Sequence, residues 1–262
     1  MNFKHKKSLG QNFLNDPFIL VGVAEDAGVT SEDTVIEVGT GPATLTSVLA
    51  SRAKRVITYE VDERLVPEIE KALEIYPNAT LRLKDAMSDD EPIIDEPFKF
   101  VANIPYYITT PLVMKYIEHP LCRSITVMIQ KEVADRFVAR AGTADYGVIT
   151  IAIDLVGDAT YTRFVPRDKF TPPPKVDSAV VHIEVNRDKY AGVDIARVMK
   201  VVKCAFTMRR KTLVNNLTSG YGLTRDKAVE ILSLAGFDAN IRGERLTTED
   251  FIHLTDILYA NI

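Results

Sequence analysis

At 262 residues, with 46% apolar and 26% charged residues, the chain has the make-up of a soluble globular protein with room for one large domain and a small one. Its apolar runs are strand-sized, which excludes a membrane span, and the basic start Met1-Asn2-Phe3-Lys4-His5-Lys6-Lys7 lacks the apolar core of a secretory signal. A net charge of −4 excludes a uniformly basic nucleic-acid binder, though basic residues gather at Lys4 to Lys7, Arg52 to Arg55 and Arg209-Arg210-Lys211, apart from the acidic Asp89-Asp90-Glu91 and Asp95-Glu96.

The β-branched run Thr34 to Val38 predicts a first strand entering a glycine turn, followed by a helix over Ala43 to Ala53. Val56 to Tyr59 predicts the second strand, and Asp62 is placed to N-cap a helix running to Tyr76. Thr80 to Leu83 and Phe98 to Ala102 predict strands three and four; Pro111 to Glu118 is helical, and Ser124 to Gln130 is the fifth strand. One helix begins near Lys131 and another covers Gly147 to Leu155. Tyr161 to Val165 and Ser178 to Val185 predict two final strands, joined by an extended loop with Pro166 and Pro172-Pro173-Pro174. Strands alternating with helices imply a doubly wound, Rossmann-like, mostly parallel sheet that ends in a strand pair without an intervening helix. The periodicity then turns helical. The expected division is an α/β domain over 1–188 and a small helical domain over 189–262.

In such sheets ligands bind at the carboxyl ends of the strands. Gly39 and Gly41 after the first strand allow a sharp turn and close approach to a ligand. Glu60 after the second strand can accept bonds from both hydroxyls of a ribose, and Asp85 after the third is placed for an adenine amino group. Thr44 stands where a dinucleotide fingerprint wants Gly or Ala, which counts against hydride transfer. Cys122, Cys204 and the four histidines show no ligand spacing, so reduced thiols and no metal are expected.

Asn103-Ile104-Pro105-Tyr106 ends the fourth strand. Asn, any residue, Pro and an aromatic at that place suit methylation of an exocyclic base amine. Such a nitrogen is a poor nucleophile because its lone pair is delocalised into the ring. The Asn103 side-chain oxygen and the Ile104 carbonyl can accept its two hydrogens where charge develops as the nitrogen becomes tetrahedral. Pro105 stiffens the turn that aims the Ile104 carbonyl, and Tyr106 offers a flat face to an unstacked base.

With these motifs the chain resembles the ribosomal RNA adenine N6-dimethyltransferases, and within that family the branch acting on the small subunit. The resemblance runs from Ser8-Leu9-Gly10-Gln11-Asn12-Phe13-Leu14 through Glu37 to Thr46, Asn103 to Tyr107, Gln130 to Ala134, Phe170 to Val180 and Arg209 to Leu213, ending at Arg245 to Phe251. It implies S-adenosylmethionine as cofactor, held by Asn12, Leu14, Gly39, Gly41, Glu60, Asp85 and Asn103. It also implies that Tyr106 and Phe170 form the two walls around the target adenine, and that Arg209, Arg210 and Lys211, opening a helix, meet ribosomal RNA. A cytoplasmic monomer is the family's default. The chain departs from the family at Ala43, where a third Gly is usual; a helix start does not demand Gly, so tolerated binding is expected. Two other functions fit parts of the pattern: a large-subunit ribosomal RNA methyltransferase of the macrolide-resistance type, and a mainly non-catalytic ribosome assembly factor.

Overall fold

The protein is described by a computed structural model over residues 11–14, 16–88 and 94–262. The basic cluster Lys4 to Lys7 and the acidic run Asp89-Asp90-Glu91 therefore lie outside the described residues.

The chain begins with the short strand β1 (Phe13–Leu14) and helix α1 (Pro17–Asp26), then β2 (Thr34–Val38), α2 (Thr44–Ala50), β3 (Arg55–Glu60), α3 (Val66–Leu73) and β4 (Ala79–Leu83). It continues with β5 (Phe98–Asn103), α4 (Thr109–Glu118), β6 (Cys122–Gln130), α5 (Lys131–Phe137), α6 (Val148–Asp154), β7 (Gly157–Val165), β8 (Phe170–Thr171) and β9 (Ser178–Val185). Four helices follow: α7 (Ile195–Thr207), α8 (Leu213–Tyr221), α9 (Arg225–Leu234) and α10 (Thr248–Asn261).

Seven strands form one sheet in the order β4-β3-β2-β5-β6-β9-β7, and β1 and β8 form a separate antiparallel pair. β4, β3, β2, β5 and β6 pair in parallel, whereas β9 runs antiparallel to β6. β2 is buried along its whole length, as expected for a central parallel strand covered on both faces. Along β5 the side chains alternate. Phe98 and Phe100 meet Tyr116 of α4, with Phe100 stacked on it at 4.1 Å, while Val101 belongs to the core that α1 and α2 close on the other face. Chain order reverses between β2 and β5. Their pairing runs from Thr34↔Phe98 to Ile36↔Phe100, so beyond it the carboxyl ends of both strands border an open crevice.

The expected helix from Asp62 to Tyr76 is shorter. Asp62 caps a single 3-10 turn, Glu63–Leu65, and the α-helix begins only at Val66, with Pro67 in its first turn.

The chain divides into two compact units, one of residues 1–134 with 158–185 and one of 135–157 with 186–262. This differs from the single expected break at 188. Residues 135–157 group with the C-terminal helices because their buried side chains and polar tips are satisfied there. The Tyr146 hydroxyl donates to the Leu246 carbonyl at 2.8 Å, and Lys189 Nζ donates to Asp154 at 2.6 Å and to the Gly157 carbonyl at 3.0 Å. No helix among the described residues is long and apolar enough to cross a membrane.

Candidate active site

A cleft of about 410 Å³ opens at the carboxyl ends of β2, β3, β4 and β5. It is lined by Asn12, Gly39, Gly41, Glu60, Asp85, Asn103, Ile104, Pro105 and Tyr106, all expected from the sequence. Gln11, Phe13, Val61, Lys84, Tyr107 and Ile108 also line it, and these the sequence did not single out.

The floor is the loop after β2. Gly39 (φ +88°) and Gly41 (φ +56°) both take left-handed backbone, which an L side chain rarely adopts. Both the Gly39 and the Thr40 amide donate to the Tyr59 carbonyl, at 2.9 and 3.1 Å, tying the loop to β3. Gly41 lies under Phe13: a side-chain carbon there would stand 3.2 Å from the ring. Ala43 is the one non-glycine residue with positive φ among the described residues, at φ 60° and ψ 26°. The backbone of this helix start thus takes a conformation that favours glycine without demanding it, a left-handed strain the sequence did not show. The position is left-handed, and Ala occupies it with its methyl fully buried against Leu65 and Ile69.

Glu60 is buried, and its carboxylate is already engaged. Oε2 accepts the Gly41 amide at 2.9 Å, and Oε1 accepts the Val61 and Asp62 amides at 2.9 and 3.0 Å. A carboxylate offers about four lone-pair sites. Three are used by backbone, so one position on the Oε2 side is left for a ligand hydroxyl rather than two. Asp85 is exposed, lines the cleft and accepts the Met87 amide on Oδ1 at 2.9 Å. Gln11 bridges the N-terminal strand to Asp62 at 2.8 Å; the Arg64 guanidinium bonded to Asp62 holds that carboxyl well below the usual range.

The Asn103 side-chain amide has no hydrogen-bond partner among the described residues, and no backbone donor reaches the Ile104 carbonyl, although the Ile104 amide itself donates to the Met128 carbonyl at 3.2 Å. Tyr106, by contrast, is locked, its hydroxyl 2.8 Å from Ser178 Oγ, and burial pushes its phenol above the usual range. Tyr107 is 60% exposed at the mouth, where burial of part of the ring and the charges of Asp85 and Glu60 raise its phenol.

Two expected site residues are elsewhere. Leu14 and Phe170 are 2% and 3% exposed, lie in the main core of the sheet domain and do not line the cleft. Their backbones pair as Leu14↔Phe170, which fixes the segment that carries Asn12 and Phe13 over the loop of Gly41. In this structure Phe170 is thus a buried core residue in register with Leu14, outside the lining of the cleft. An aromatic in a proline-rich loop carries no local signal of that burial.

In the helical unit the basic stretch forms the turn between α7 and α8 rather than opening a helix. Arg209 is committed: its guanidinium donates to the Ala144 and Tyr146 carbonyls and lies 3.5 Å from Glu244. Arg210 and Lys211 are exposed and make no side-chain bond within the described residues. Asn216, 1% exposed, holds the turn: its Oδ1 accepts the Met208 amide at 2.9 Å, and its Nδ2 donates to the Met208 and Thr212 carbonyls. Nothing in the neighbouring sequence marks Asn216 for this task, because an Asn on a helical face is ordinarily solvated.

The family model for ribosomal RNA adenine dimethylase matches residues 2–258. The chain is 41% identical to the ribosomal RNA small subunit methyltransferase A of Bacillus licheniformis, covering 98% of this chain and 92% of that protein. It is 40% identical to the protein of the same name from Enterococcus faecalis, over 99% and 92%. Among solved structures it is similar to a dimethyladenosine transferase from Plasmodium falciparum, with a TM-score of 0.80, 29% identity, and 92% and 95% of the two chains covered. The 23S rRNA methyltransferase ErmE gives a TM-score of 0.74 at 29% identity, covering 95% and 100%.

Proposed function

The chain belongs to the ribosomal RNA adenine dimethylase family, and from that premise we propose that it transfers methyl groups from S-adenosylmethionine to N6 of two adjacent adenosines in a small-subunit ribosomal RNA loop, giving N6,N6-dimethyladenosine. The observation that carries the reading is the pairing, at one cleft, of an uncommitted Asn103 amide and an uncommitted Ile104 carbonyl with the locked ring of Tyr106.

The cleft suits the cofactor in size and chemistry, since small-molecule sites commonly span roughly 300–1,000 Å³ with a few placed polar groups. Gly39 and Gly41 leave room for close approach to the loop, Glu60 offers its remaining acceptor site to a ribose hydroxyl, and Asp85 faces the place of an adenine amino group. Asn12 covers the cleft from the strand that Leu14 and Phe170 hold in register. When bound, the cofactor supplies an electrophilic methyl group on a sulfonium.

The residues' task is alignment. Tyr106, its hydroxyl fixed by Ser178, presents a rigid face on which the flipped base stacks. Asn103 Oδ1 and the Ile104 carbonyl accept the two amino hydrogens, and these bonds strengthen as positive charge develops on the nitrogen, so they stabilise the transition state more than the bound substrate. The cationic product nitrogen then loses its proton to water without a dedicated base. Arg210 and Lys211 contact RNA phosphates, and the enzyme acts in the cytoplasm as a single chain.

The likeness to ErmE favours a large-subunit target as the second reading, but it stands at 29% identity against 41% for the small-subunit enzyme. Incubating purified small and large subunits with labelled cofactor, followed by mass spectrometry of the RNA, separates the two. Label on the small-subunit RNA alone is the expected outcome.

A further inference from the structure

Beneath the cleft lies a buried chain of oxygens that the methyl-transfer reading does not use. Glu37, near the end of β2 and 1% exposed, has two hydroxyls within hydrogen-bond distance of one oxygen: Thr46 Oγ1 of α2 at 2.6 Å and Thr58 Oγ1 of β3 at 2.8 Å from Oε2. Thr58 Oγ1 in turn lies 2.7 Å from Thr40 Oγ1, which lies 3.0 Å from the Tyr59 carbonyl. Thr40 sits between Gly39 and Gly41, so the chain ends in the loop that floors the cleft.

Burial without a cation and the count of hydrogens together bear on the state of this chain. It contains four oxygen–oxygen pairs at hydrogen-bond distance, and the three threonine hydroxyls supply three hydrogens. If Glu37 is ionised, Thr46 and Thr58 both donate to it and Thr40 donates to Thr58, which leaves Thr40 Oγ1 facing the Tyr59 carbonyl, already filled by the Gly39 and Thr40 amides, with no hydrogen between the two buried oxygens and the charge itself without a cation. If Glu37 carries a proton, all four are satisfied in one direction. Thr46 donates to Glu37, Glu37 donates to Thr58, Thr58 to Thr40, and Thr40 to the Tyr59 carbonyl.

We propose that Glu37 is held as a neutral carboxylic acid in the folded protein at neutral pH and that, as a hydrogen-bond donor acting through Thr58 and Thr40, it is a positioning residue for the Gly39–Gly41 loop. Its surroundings agree. Burial pushes its carboxyl up to about 8, against the pull of the Thr46 and Thr58 hydrogen bonds and with a further push from the charge of Glu60. Glu60 is the charged group that faces it. Besides Glu60 at the end of β3, α2 and β3 offer it the hydroxyls of Thr46 and Thr58, and Lys99 of the neighbouring strand β5 pairs opposite Val35 and is bonded to Asp33 and the Gly28 carbonyl.

The sign of the linkage follows. The folded pKa lies above that of the unfolded chain, so the folded state binds the extra proton between about pH 4.5 and 8. The contribution to stability is full below about 4.5 and is lost as pH rises through about 8.

The proposal rests on the cofactor reading only for the role of the loop, and Glu37→Gln tests both parts. Gln donates from the same place without titrating. The thermal midpoint of the wild-type protein is expected to fall relative to that of the variant between pH 5 and 9. Affinity for S-adenosylhomocysteine, measured by calorimetry, is expected to weaken in the wild type relative to the variant by at least about three-fold between pH 7 and 9.5; the ligand's own amino group titrates equally in both and cancels in the ratio. An infrared band of a protonated carboxyl at pH 7, absent from the variant, is the direct check and needs no ligand. Parallel stability curves with no such band overturn the proposal. Diverging stability curves with a constant affinity ratio overturn the link to the loop. If the wild type binds no cofactor at any pH, the cofactor reading fails, while the stability and infrared results still decide the proton on Glu37.

Discussion

The backbone of Gly39 approaches Asn103 so closely that a methyl group on Gly39 would stand 3.4 Å from the Asn103 carbonyl oxygen and 3.4 Å from Pro105 Cδ. The end of the first parallel strand and the Asn-Ile-Pro-Tyr turn are thus in contact across the crevice where chain order reverses. The contact distance itself is ordinary, so the consequence of adding a methyl lies in the backbone and in the space filled. At φ +88° a non-glycine residue costs roughly 1–2 kcal/mol. Gly39→Ala is expected to lower the thermal midpoint by a few degrees and to weaken cofactor binding about ten-fold or more, because the methyl occupies the crevice. Calorimetry on the folded variant checks this, and wild-type affinity would remove the loop from the cofactor site.

Asn103→Ala separates chemistry from binding. The amide has no structural bond to lose among the described residues, so stability should hold. Its acceptor matters as the nitrogen becomes tetrahedral, and turnover is expected to fall roughly 10²-fold with RNA affinity nearly unchanged. Single-turnover kinetics beside an RNA-binding assay give the answer, and activity within a few-fold of wild type would end the role assigned to Asn103.

Much of this site was legible in the sequence because each strand end announces itself. A strand-length run stops at or just before Gly39, Glu60, Asp85 or Asn103, and parallel order brings those stops to one edge. The parts that were not legible depend on contacts distant in sequence. α1 was missed because Pro17 to Asp26 is apolar on most positions and shows no helical period, although Asp16 caps it through the Phe18 and Ile19 amides. β1 and β8 have two residues each, too few for any pattern, yet their pairing buries Leu14 and Phe170 and carries Asn12 to the cleft. The amides that fill most of Glu60's acceptor capacity are invisible until the Gly41 loop folds back on β3.

Those amides change what Glu60 predicts. Glu60→Ala leaves the Gly41, Val61 and Asp62 amides without their acceptor, and an unmet buried donor costs about 1–3 kcal/mol. The variant should lose stability as well as cofactor affinity. Glu60→Gln keeps an acceptor for Val61 and Asp62 but turns an amide group against the Gly41 N–H. It is expected to stay folded and to bind cofactor about ten-fold more weakly. Calorimetry with a parallel melt distinguishes the two variants; unchanged affinity in Glu60→Gln makes Glu60 purely a clamp on the loop.

Ala43 poses a balance of small terms. Left-handed backbone costs Ala roughly 1–2 kcal/mol, which Gly would avoid. Against that, Ala43→Gly gives up a buried methyl worth about 0.8 kcal/mol and adds unfolded-chain freedom worth roughly 0.5–1 kcal/mol. The sums nearly cancel, so denaturant unfolding should move by less than about 1 kcal/mol, which accounts for Ala at a left-handed position. Ala43→Val adds β-branching to the same strain and should lose clearly more. A large gain in Ala43→Gly would mean that the Leu65–Ile69 contact contributes little.

The basic turn between α7 and α8 divides into a structural and a free part. Arg209 is half exposed and bonded to the Ala144 and Tyr146 carbonyls, so Arg209→Gln is expected to cost stability, by about 1 kcal/mol or less given solvent screening. Arg210 and Lys211 have no such bonds, and their replacement by Gln should leave the melt unchanged. If they meet phosphates, the double variant weakens RNA binding and flattens its salt dependence, the slope falling by about 0.7 for each single-strand phosphate that is no longer neutralised. Cofactor affinity should be untouched, since neither residue lines the cleft. Asn216→Ala provides the geometric control: it removes the bonds to Met208 and Thr212 that shape the turn while leaving all three cations in the chain. A loss of RNA affinity in Asn216→Ala, in a variant that still melts cooperatively, means that the placement of Arg210 and Lys211 matters as well as their charge. Wild-type affinity and salt slope in the Arg210→Gln, Lys211→Gln protein would make the turn an ordinary solvated surface. The next candidates for the phosphate-binding cations would then be Lys4 to Lys7 and Arg52 to Arg55.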